Sequence, residues 1–306
     1  MAFNRDALTQ LCESSCKYAG LCSLENSPAC LSKKARHGRS LTIDLLISHL
    51  ILAFTVGGAW VCSATLVADR YGSAVGGLVG GLPAISIVSF LFIGLNQGPA
   101  TASQAAAVFP LALSFTMSFL LVYAILSERG FQLAFVGALL VWVGLSTITV
   151  CLNLRNLFIS VGVFLSAASV YFYVFKMKMK LPHIGGAHMV YSPAQVAFRA
   201  IVGGSIVALA VLSSQLGGPE LGGIASSFPA IFSLTLFFTY KTRGMPLSRA
   251  LTKPLLISGG LTAFPYSLLV GYLYPILGVG LGTLVALSCS VPLVVLAHFL
   301  INIRRI

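Results

Sequence analysis

The sequence has few charged residues and very few acids. Of its 306 residues only 8% are charged and 7 are Asp or Glu, whereas 57% are hydrophobic, and the mean hydropathy is +0.95. Soluble domains carry about 25% charged residues, so this composition excludes an ordinary soluble protein. The apolar runs are about 20 residues long, enough for helices that cross a ~30 Å hydrocarbon core. The short alternating segments of a membrane β-barrel are absent, so the sequence predicts an all-α, polytopic membrane protein.

Familiar catalytic motifs are missing as well. The chain has no Gly-x-Ser-x-Gly elbow, phosphate-binding loop, His-Glu-x-x-His motif or paired carboxylates, so we expect that it is not an enzyme. The scarcity of acids disfavours a cation exporter, which would need a carboxylate near the middle of the membrane. The net charge of +12 is spread over loops and ends. There it favours anionic lipid headgroups, and not nucleic acid, as the partner.

One apolar stretch occurs twice, 146 residues apart. Residues 55–98 align without a gap to residues 201–244, with 14 identities in 44 positions. The identities include two pairs of glycines, at 57–58 and 76–77, and Pro83, which matches Pro229. We interpret this pattern as an internal duplication.

The apolar segments predict about nine transmembrane helices in a 4+1+4 arrangement. Because the single linking helix crosses alone, the second set of four would enter the membrane from the opposite side, giving the inverted repeat of many secondary transporters. The predicted regions are a polar N-terminal segment (1–40), a first four-helix repeat (41–152), a linking helix and basic loop (153–193) and a second four-helix repeat (194–306). The predicted spans are 41–66, 73–95, 102–126, 131–152, 157–175, 194–212, 221–240, 255–274 and 277–303.

Loop charges orient this arrangement. Most basic loops and the terminal Arg304-Arg305 fall on one face, which the positive-inside rule places in the cytoplasm. The N-terminal segment, with six Lys or Arg, falls on the other face and argues against this orientation. On balance we expect a multi-pass protein of the cytoplasmic membrane with its C terminus inside. The sequence does not indicate an oligomeric state.

The proline-broken spans 2 and 7 form the first candidate site. Proline frees the carbonyl one turn earlier, and paired small residues let a ligand approach. Corresponding breaks in both halves favour a midplane site for an anionic small solute or a lipid headgroup. The alternative is that the small residues only pack helices together. The residues predicted to bind substrate are Gly80, Gly81, Pro83, Ser226, Ser227 and Pro229, with the ionisable His49, Arg249 and Lys253 in or near spans.

Four cysteines of the N-terminal segment form the second candidate site. They lie within 19 residues of polar sequence and are Cys12, Cys16, Cys22 and Cys30. Four thiolates can hold zinc or an iron–sulfur cluster, whereas in an oxidising compartment they would form two disulfides. A third interpretation is that the four thiols stay unligated. The spacing fits neither a Cys-x-x-Cys zinc knuckle nor a common ferredoxin pattern. The sequence thus favours a small secondary transporter or permease, with a membrane-anchored metal or redox sensor as the alternative.

Several residues of the second repeat also match a known family. They are Gly222, Phe228-Pro229, Gly244, Arg249, Thr252 and Pro265-Tyr266. Through them the repeat resembles the GlpM-like family of small four-helix inner-membrane proteins, over about 90 residues. The resemblance implies a four-helix unit that works with a second, oppositely oriented unit, and duplication would have fused the two here. It implies little about the substrate.

Overall fold

All regular structure that the computed structural model describes, over residues 28–70, 83–177 and 191–303, is helical. The 3-10 turn Ser127–Arg129 lies between the third and the fourth helix. Of the predicted site residues, Cys12, Cys16, Cys22, Gly80 and Gly81 lie outside these ranges. The helices are α1 (Pro28–Arg70), α2 (Ala84–Gln97), α3 (Pro99–Leu126), α4 (Phe131–Cys151), α5 (Leu157–Met177), α6 (Pro193–Gly217), α7 (Pro219–Ser226), α8 (Ala230–Arg243) and α9 (Met245–Ile303).

The chain divides into two units, residues 1–49 and residues 50–306. In the first unit the described residues are helical from Pro28, well before residue 41, where the first predicted span begins. Cys30 lies in this early part of α1. The packing described below belongs to the second unit.

Seven described helical segments are long and apolar enough to cross a membrane. The protein is therefore a multi-pass integral membrane protein. Helix α2 has 14 residues and is about 21 Å long, shorter than a ~30 Å hydrocarbon core. The number of nine spans thus stays a prediction. The seven segments are Leu46–Val67, Pro99–Arg129, Phe131–Cys151, Leu157–Phe175, Pro193–Gly217, Pro219–Arg243 and Met245–Ser290.

Helix α3 is the central element of the second unit. It packs against α2, α4, α5, α7 and α9. In its most apolar 18-residue stretch, 83% is buried. In the most apolar 18-residue stretch of α5 only 11% is buried, and α5 side chains such as Phe158 and Val170 are exposed. An apolar exposed surface of this kind suits contact with membrane lipid.

Aromatic side chains join α2, α3 and α9 in the core. Phe90 of α2 lies edge-on to Phe109 of α3, with the ring centroids 5.3 Å apart, and stacks 6.5 Å from Tyr266 of α9. All three side chains are almost fully buried. Their packing couples the first half of the sequence to the second.

Helix boundaries fall where the sequence places glycine and proline. The predicted span 221–240 consists of two helices, α7 and α8, which are separated at residues 227–229. Helix α9 bends at Gly278, whose φ of 75° and ψ of 175° are not helical. This bend lies beside the predicted boundary between the spans 255–274 and 277–303. Glycine tolerates such a φ because it has no Cβ.

Candidate functional site

The break between α7 and α8 is built around Pro229. Proline has no N–H, so the backbone leaves the helical hydrogen-bond pattern here. The N–H groups of Ser227 and Phe228 bond back to Ile224 and Ala225, at 3.0 and 3.1 Å, and so close α7. Pro229 has φ −77° and ψ 43°, and α8 begins at the next residue. The helical backbone is therefore interrupted within one membrane-length segment.

Side chains from the first half of the chain satisfy the carbonyls of this break. Thr116 Oγ1 on α3 donates to the Ser227 carbonyl at 2.6 Å, and Ser86 Oγ on α2 donates to the Ser226 carbonyl at 3.3 Å. Ser226 and Ser227 are only 2% and 6% exposed. The break is thus closed and held by hydroxyl groups in this conformation, which meets the requirement that backbone groups at membrane depth find partners.

An aromatic contact covers the same break. Trp142 of α4 lies edge-on to Phe228, with the rings 5.1 Å apart and at 89°. The indole Nε1 of Trp142 is buried without a hydrogen-bond partner among the described residues. An unpartnered buried donor is uncommon. The Trp142 indole lies against Phe228, the residue before Pro229.

The first half carries a matching boundary at Pro83. Pro83 precedes α2 with φ −76° and ψ 62°, close to the values at Pro229. Helices α2 and α8 have 14 residues each, and they end at Gly98 and Gly244, whose φ values are 95° and 81°. The two helices and their ends are therefore locally equivalent at the offset of 146 residues.

Helices α1 and α6 exchange equivalent contacts. A Cβ atom placed on Gly57 would lie 2.7 Å from Val207, and one placed on Gly203 would lie 2.7 Å from Val61. Gly57 corresponds to Gly203 and Val61 to Val207 at the offset of 146. The contact of Gly57 with Val207 therefore has its equivalent in the contact of Gly203 with Val61, with the two halves exchanged.

The neighbouring glycines show the same exchange with backbone atoms. A Cβ on Gly58 would lie 2.9 Å from the Ala200 carbonyl oxygen, and one on Gly204 would lie 2.4 Å from that of Phe54. Phe54 and Ala200 are again 146 residues apart. Residue numbers rise along α1 while their partners fall along α6, so the two helices run antiparallel. Reciprocal contacts between antiparallel equivalents are the signature of a local two-fold axis perpendicular to the helices.

Two further contacts match across the halves. Phe131 at the start of α4 stacks on Tyr240 of α8, with the ring centroids 4.2 Å apart and the planes at 11°. Val279, just after the bend of α9, packs on Gly94 of α2, where an added Cβ would lie 2.8 Å from the valine. Gly94 and Tyr240 are 146 residues apart, and Phe131 and Val279 are 148 apart. The second half has two more residues between its contacting positions than the first, which accounts for the offset of 148. With that shift, the equivalence of the two halves extends beyond the α1–α6 pair.

Two ion pairs lie at opposite ends of α4. Before α4, Glu128 bonds Arg249 at 2.7 Å, and after it, Arg155 bonds Glu220 at 2.9 Å. Each pair joins the first half or the linking region to the second half. Between the Arg155 pair and Ile224 of α7 lies a cavity of about 100 Å³. The cavity thus adjoins α7, and the Arg155–Glu220 ion pair forms part of its wall.

The remaining predicted residues do not converge on the break. Arg249 is engaged with Glu128, and Lys253 is exposed on α9. His49 lies in α1 and is half-buried. Among the described residues no group of three or more His, Cys, Asp or Glu could hold a metal. The predicted metal site at the N-terminal cysteines lies almost wholly outside the described part of the chain.

Sequence reasoning missed three residues around the broken segment: Ser86, Thr116 and Trp142. Serine, threonine and tryptophan are ordinary residues in apolar helices, and nothing in the spacing of these three singles them out. It also did not assign Arg199, near the start of the predicted span 194–212, to a site. The structure buries this side chain to 4% exposure, in α6 against α8.

Comparison with known proteins gives one match. A family described as "protein of unknown function (DUF3147)" matches residues 50–154. The match covers about a third of the chain. No curated protein and no solved structure matches the chain.

Proposed function

We propose that the protein is a small secondary transporter or permease of the cytoplasmic membrane, with its substrate site at the two proline boundaries. The observation that carries this proposal is the break at Ser227–Pro229, with its equivalent at Pro83, in halves that exchange antiparallel contacts. Paired interruptions in oppositely oriented repeats are the best sequence and structural pointer to a transport site.

The reciprocal packing of α1 and α6 supports an inverted repeat. A local two-fold axis perpendicular to membrane-spanning helices lies in the plane of the membrane. Two units related in this way present equivalent surfaces to opposite sides. Rocking one against the other then exposes a shared site to each side in turn. The family match to residues 50–154 supports a unit of this size, because it spans about one repeat.

The ion pairs supply contacts that such a motion would exchange. Glu128–Arg249 and Arg155–Glu220 lie at opposite ends of α4, and each ties elements from different halves. Exposed ion pairs contribute only about 0–1 kcal/mol, so either can open at little cost. In this proposal the conformation described above is the closed one, with both pairs formed and the break buried.

Several sequence-based expectations belong to the same proposal. The transported species is an anionic small solute or a lipid headgroup, because the chain is rich in basic residues and poor in acids. The C terminus lies in the cytoplasm by the positive-inside rule. The protein is not an enzyme, and each repeat corresponds to a four-helix unit of the GlpM-like type.

The test is the accessibility of the break to water from both sides of the membrane. Ser227→Cys is introduced in a background in which the seven native cysteines are replaced by serine. Right-side-out and inside-out vesicles are then treated with a small membrane-impermeant thiosulfonate. Ser146→Cys on α4 is the matched control, since Ser146 is 7% exposed and Ser227 is 6% exposed.

We expect Ser227→Cys to react from both sides and Ser146→Cys to react from neither. Reaction from both sides requires a break that opens to each face, although it is shut in the conformation described here. Ser227→Cys that reacts no faster than Ser146→Cys in either vesicle would show that the break is only a packing feature, and the proposal would be abandoned.

A further inference from the structure

Arg199 is a buried cation for which the described protein supplies no negative partner. It lies in α6, inside the candidate span Pro193–Gly217, and is 4% exposed. Neither of the two ion pairs formed among the described residues includes it. A buried charge without a counter-ion is costly, and membrane proteins keep such residues chiefly where they serve a function.

The neighbours of Arg199 occupy only part of its guanidinium group. One terminal nitrogen donates to Thr235 Oγ1 of α8 at 2.5 Å, and the guanidinium carbon lies 4.2 Å from the centre of the Tyr191 ring. The Nε atom is buried without a hydrogen-bond partner in the described chain. A guanidinium presents its donors as a rigid fork suited to a planar or tetrahedral oxyanion. The group is therefore positioned, and one of its donors is free.

The position of Arg199 relates it to the break. It follows the start of α6 by six residues, about 9 Å at 1.5 Å per residue. Its partner Thr235 is six residues, again about 9 Å, beyond Pro229 along α8. The spans Pro193–Gly217 and Pro219–Arg243 follow one another directly and so run in opposite directions, which places the exposed Lys241 and Arg243 on the side where α6 begins. Arg199 thus lies between a basic surface and the broken segment.

We propose that Arg199 binds a phosphate-type oxyanion at the α6–α8 contact. The anion would be drawn from the side of Lys241 and Arg243 and held by the free donor of Arg199. The proposal rests on the proposed function and deepens it, because it assigns the substrate class of the transporter. The oxyanion is either a free phosphate compound or the headgroup of a phospholipid, and both present the same chemistry to the guanidinium.

The experiment compares these two sources by thermal unfolding of the purified full-length protein. In the first arm, inorganic phosphate is titrated in neutral detergent against chloride at equal ionic strength. In the second arm, phosphatidylglycerol is titrated into the same neutral detergent, which contains no phosphate. Arg199→Gln removes the charge and Arg199→Lys retains it, while Arg129→Gln is the control for the loss of an exposed charge outside the proposed route.

A bound anion stabilises the folded state by mass action, so we expect a rise in Tm of about 2–4 °C at a concentration ten times its Kd. A rise with inorganic phosphate assigns a free oxyanion, and a rise only with phosphatidylglycerol assigns a lipid headgroup. In either case Arg199→Gln abolishes the rise, Arg199→Lys keeps part of it, and Arg129→Gln keeps nearly all of it.

No rise in either arm with the unsubstituted protein would overturn the proposal, and so would an equal rise in Arg199→Gln. The unsubstituted protein decides the first outcome, so the result does not depend on whether a variant folds. The accessibility of Ser227→Cys is measured without any anion and without altering Arg199. The two proposals therefore fail separately.

Discussion

The glycines between α1 and α6 allow a quantitative test of the reciprocal packing. Gly204→Ala would place a Cβ 2.4 Å from the Phe54 carbonyl oxygen, and Gly58→Ala would place one 2.9 Å from that of Ala200. Both obstacles are backbone atoms, which cannot rotate away. The helices must separate, and forcing an extra methyl into a packed interface costs about 1–3 kcal/mol.

Two other helical glycines provide the matched control. A Cβ on Gly144 of α4 or on Gly162 of α5 would meet nothing within 4 Å. Gly→Ala in a helix interior then stabilises by about 0.5–1 kcal/mol, because alanine has the higher helix propensity. Gly58→Ala and Gly204→Ala receive the same propensity gain, so their net cost is about 0–2.5 kcal/mol. The two classes are expected to have opposite signs.

Reversible unfolding in mixed detergent micelles measures these free energies. Because the two contacts share one interface, the double variant Gly58→Ala/Gly204→Ala is expected to cost less than the sum of the single variants. One separation of α1 from α6 relieves both clashes. The reasoning is refuted if Gly204→Ala stabilises the protein as much as Gly144→Ala, or if the two interface substitutions add without coupling.

Two more predictions concern the break and the cysteines. Thr116→Val leaves the buried Ser227 carbonyl without its donor and should cost about 1–3 kcal/mol in the same unfolding assay. Thr149→Val is the control, since Thr149 bonds a carbonyl of its own helix, and equal costs would contradict the assigned role of Thr116. Protein purified without oxygen should contain zinc, or iron with labile sulfide, and should lose it when the four N-terminal cysteines are replaced by serine. Absence of metal from the unsubstituted protein would argue for disulfides and against a sensor. The residues replaced are Cys12, Cys16, Cys22 and Cys30.

The helix boundaries of the second unit were largely predictable because they depend on local backbone chemistry. Proline cannot continue the hydrogen-bond ladder at 229, and the glycines at 98 and 244 adopt a positive φ. The sequence therefore predicts a break at Pro229 and the equivalence of the two proline boundaries. The length of α1 was not predicted, because its N-terminal part is polar and lacks a hydropathy signal.

The contacts of the candidate site were not predictable from one sequence. Thr116 reaches Ser227 across 111 residues, and Glu128 reaches Arg249 across 121. Such pairs arise from how α3, α7 and α9 pack, and no local spacing encodes them. Arg249 in particular is an ionisable residue that the sequence predicts to bind substrate, whereas a single carboxylate engages it in the folded protein.

The central claim is that the break opens to one side of the membrane at a time. The measurement is the reactivity of Ser227→Cys after one of the two ion pairs has been replaced by a covalent link. Glu128→Cys/Arg249→Cys or Arg155→Cys/Glu220→Cys is bridged with a flexible bis-maleimide, whose thioether links survive reduction, before Ser227→Cys is exposed to the impermeant thiosulfonate. The third cysteine is protected as a mixed disulfide during bridging and is freed afterwards with a thiol reductant.

With the Glu128–Arg249 positions bridged, we expect reaction only from the side of Arg155 and Glu220. With the Arg155–Glu220 positions bridged, we expect reaction only from the side of Glu128 and Arg249. A Ser227→Cys site that reacts equally from both sides whichever bridge is present, or from neither side before bridging, would contradict the account.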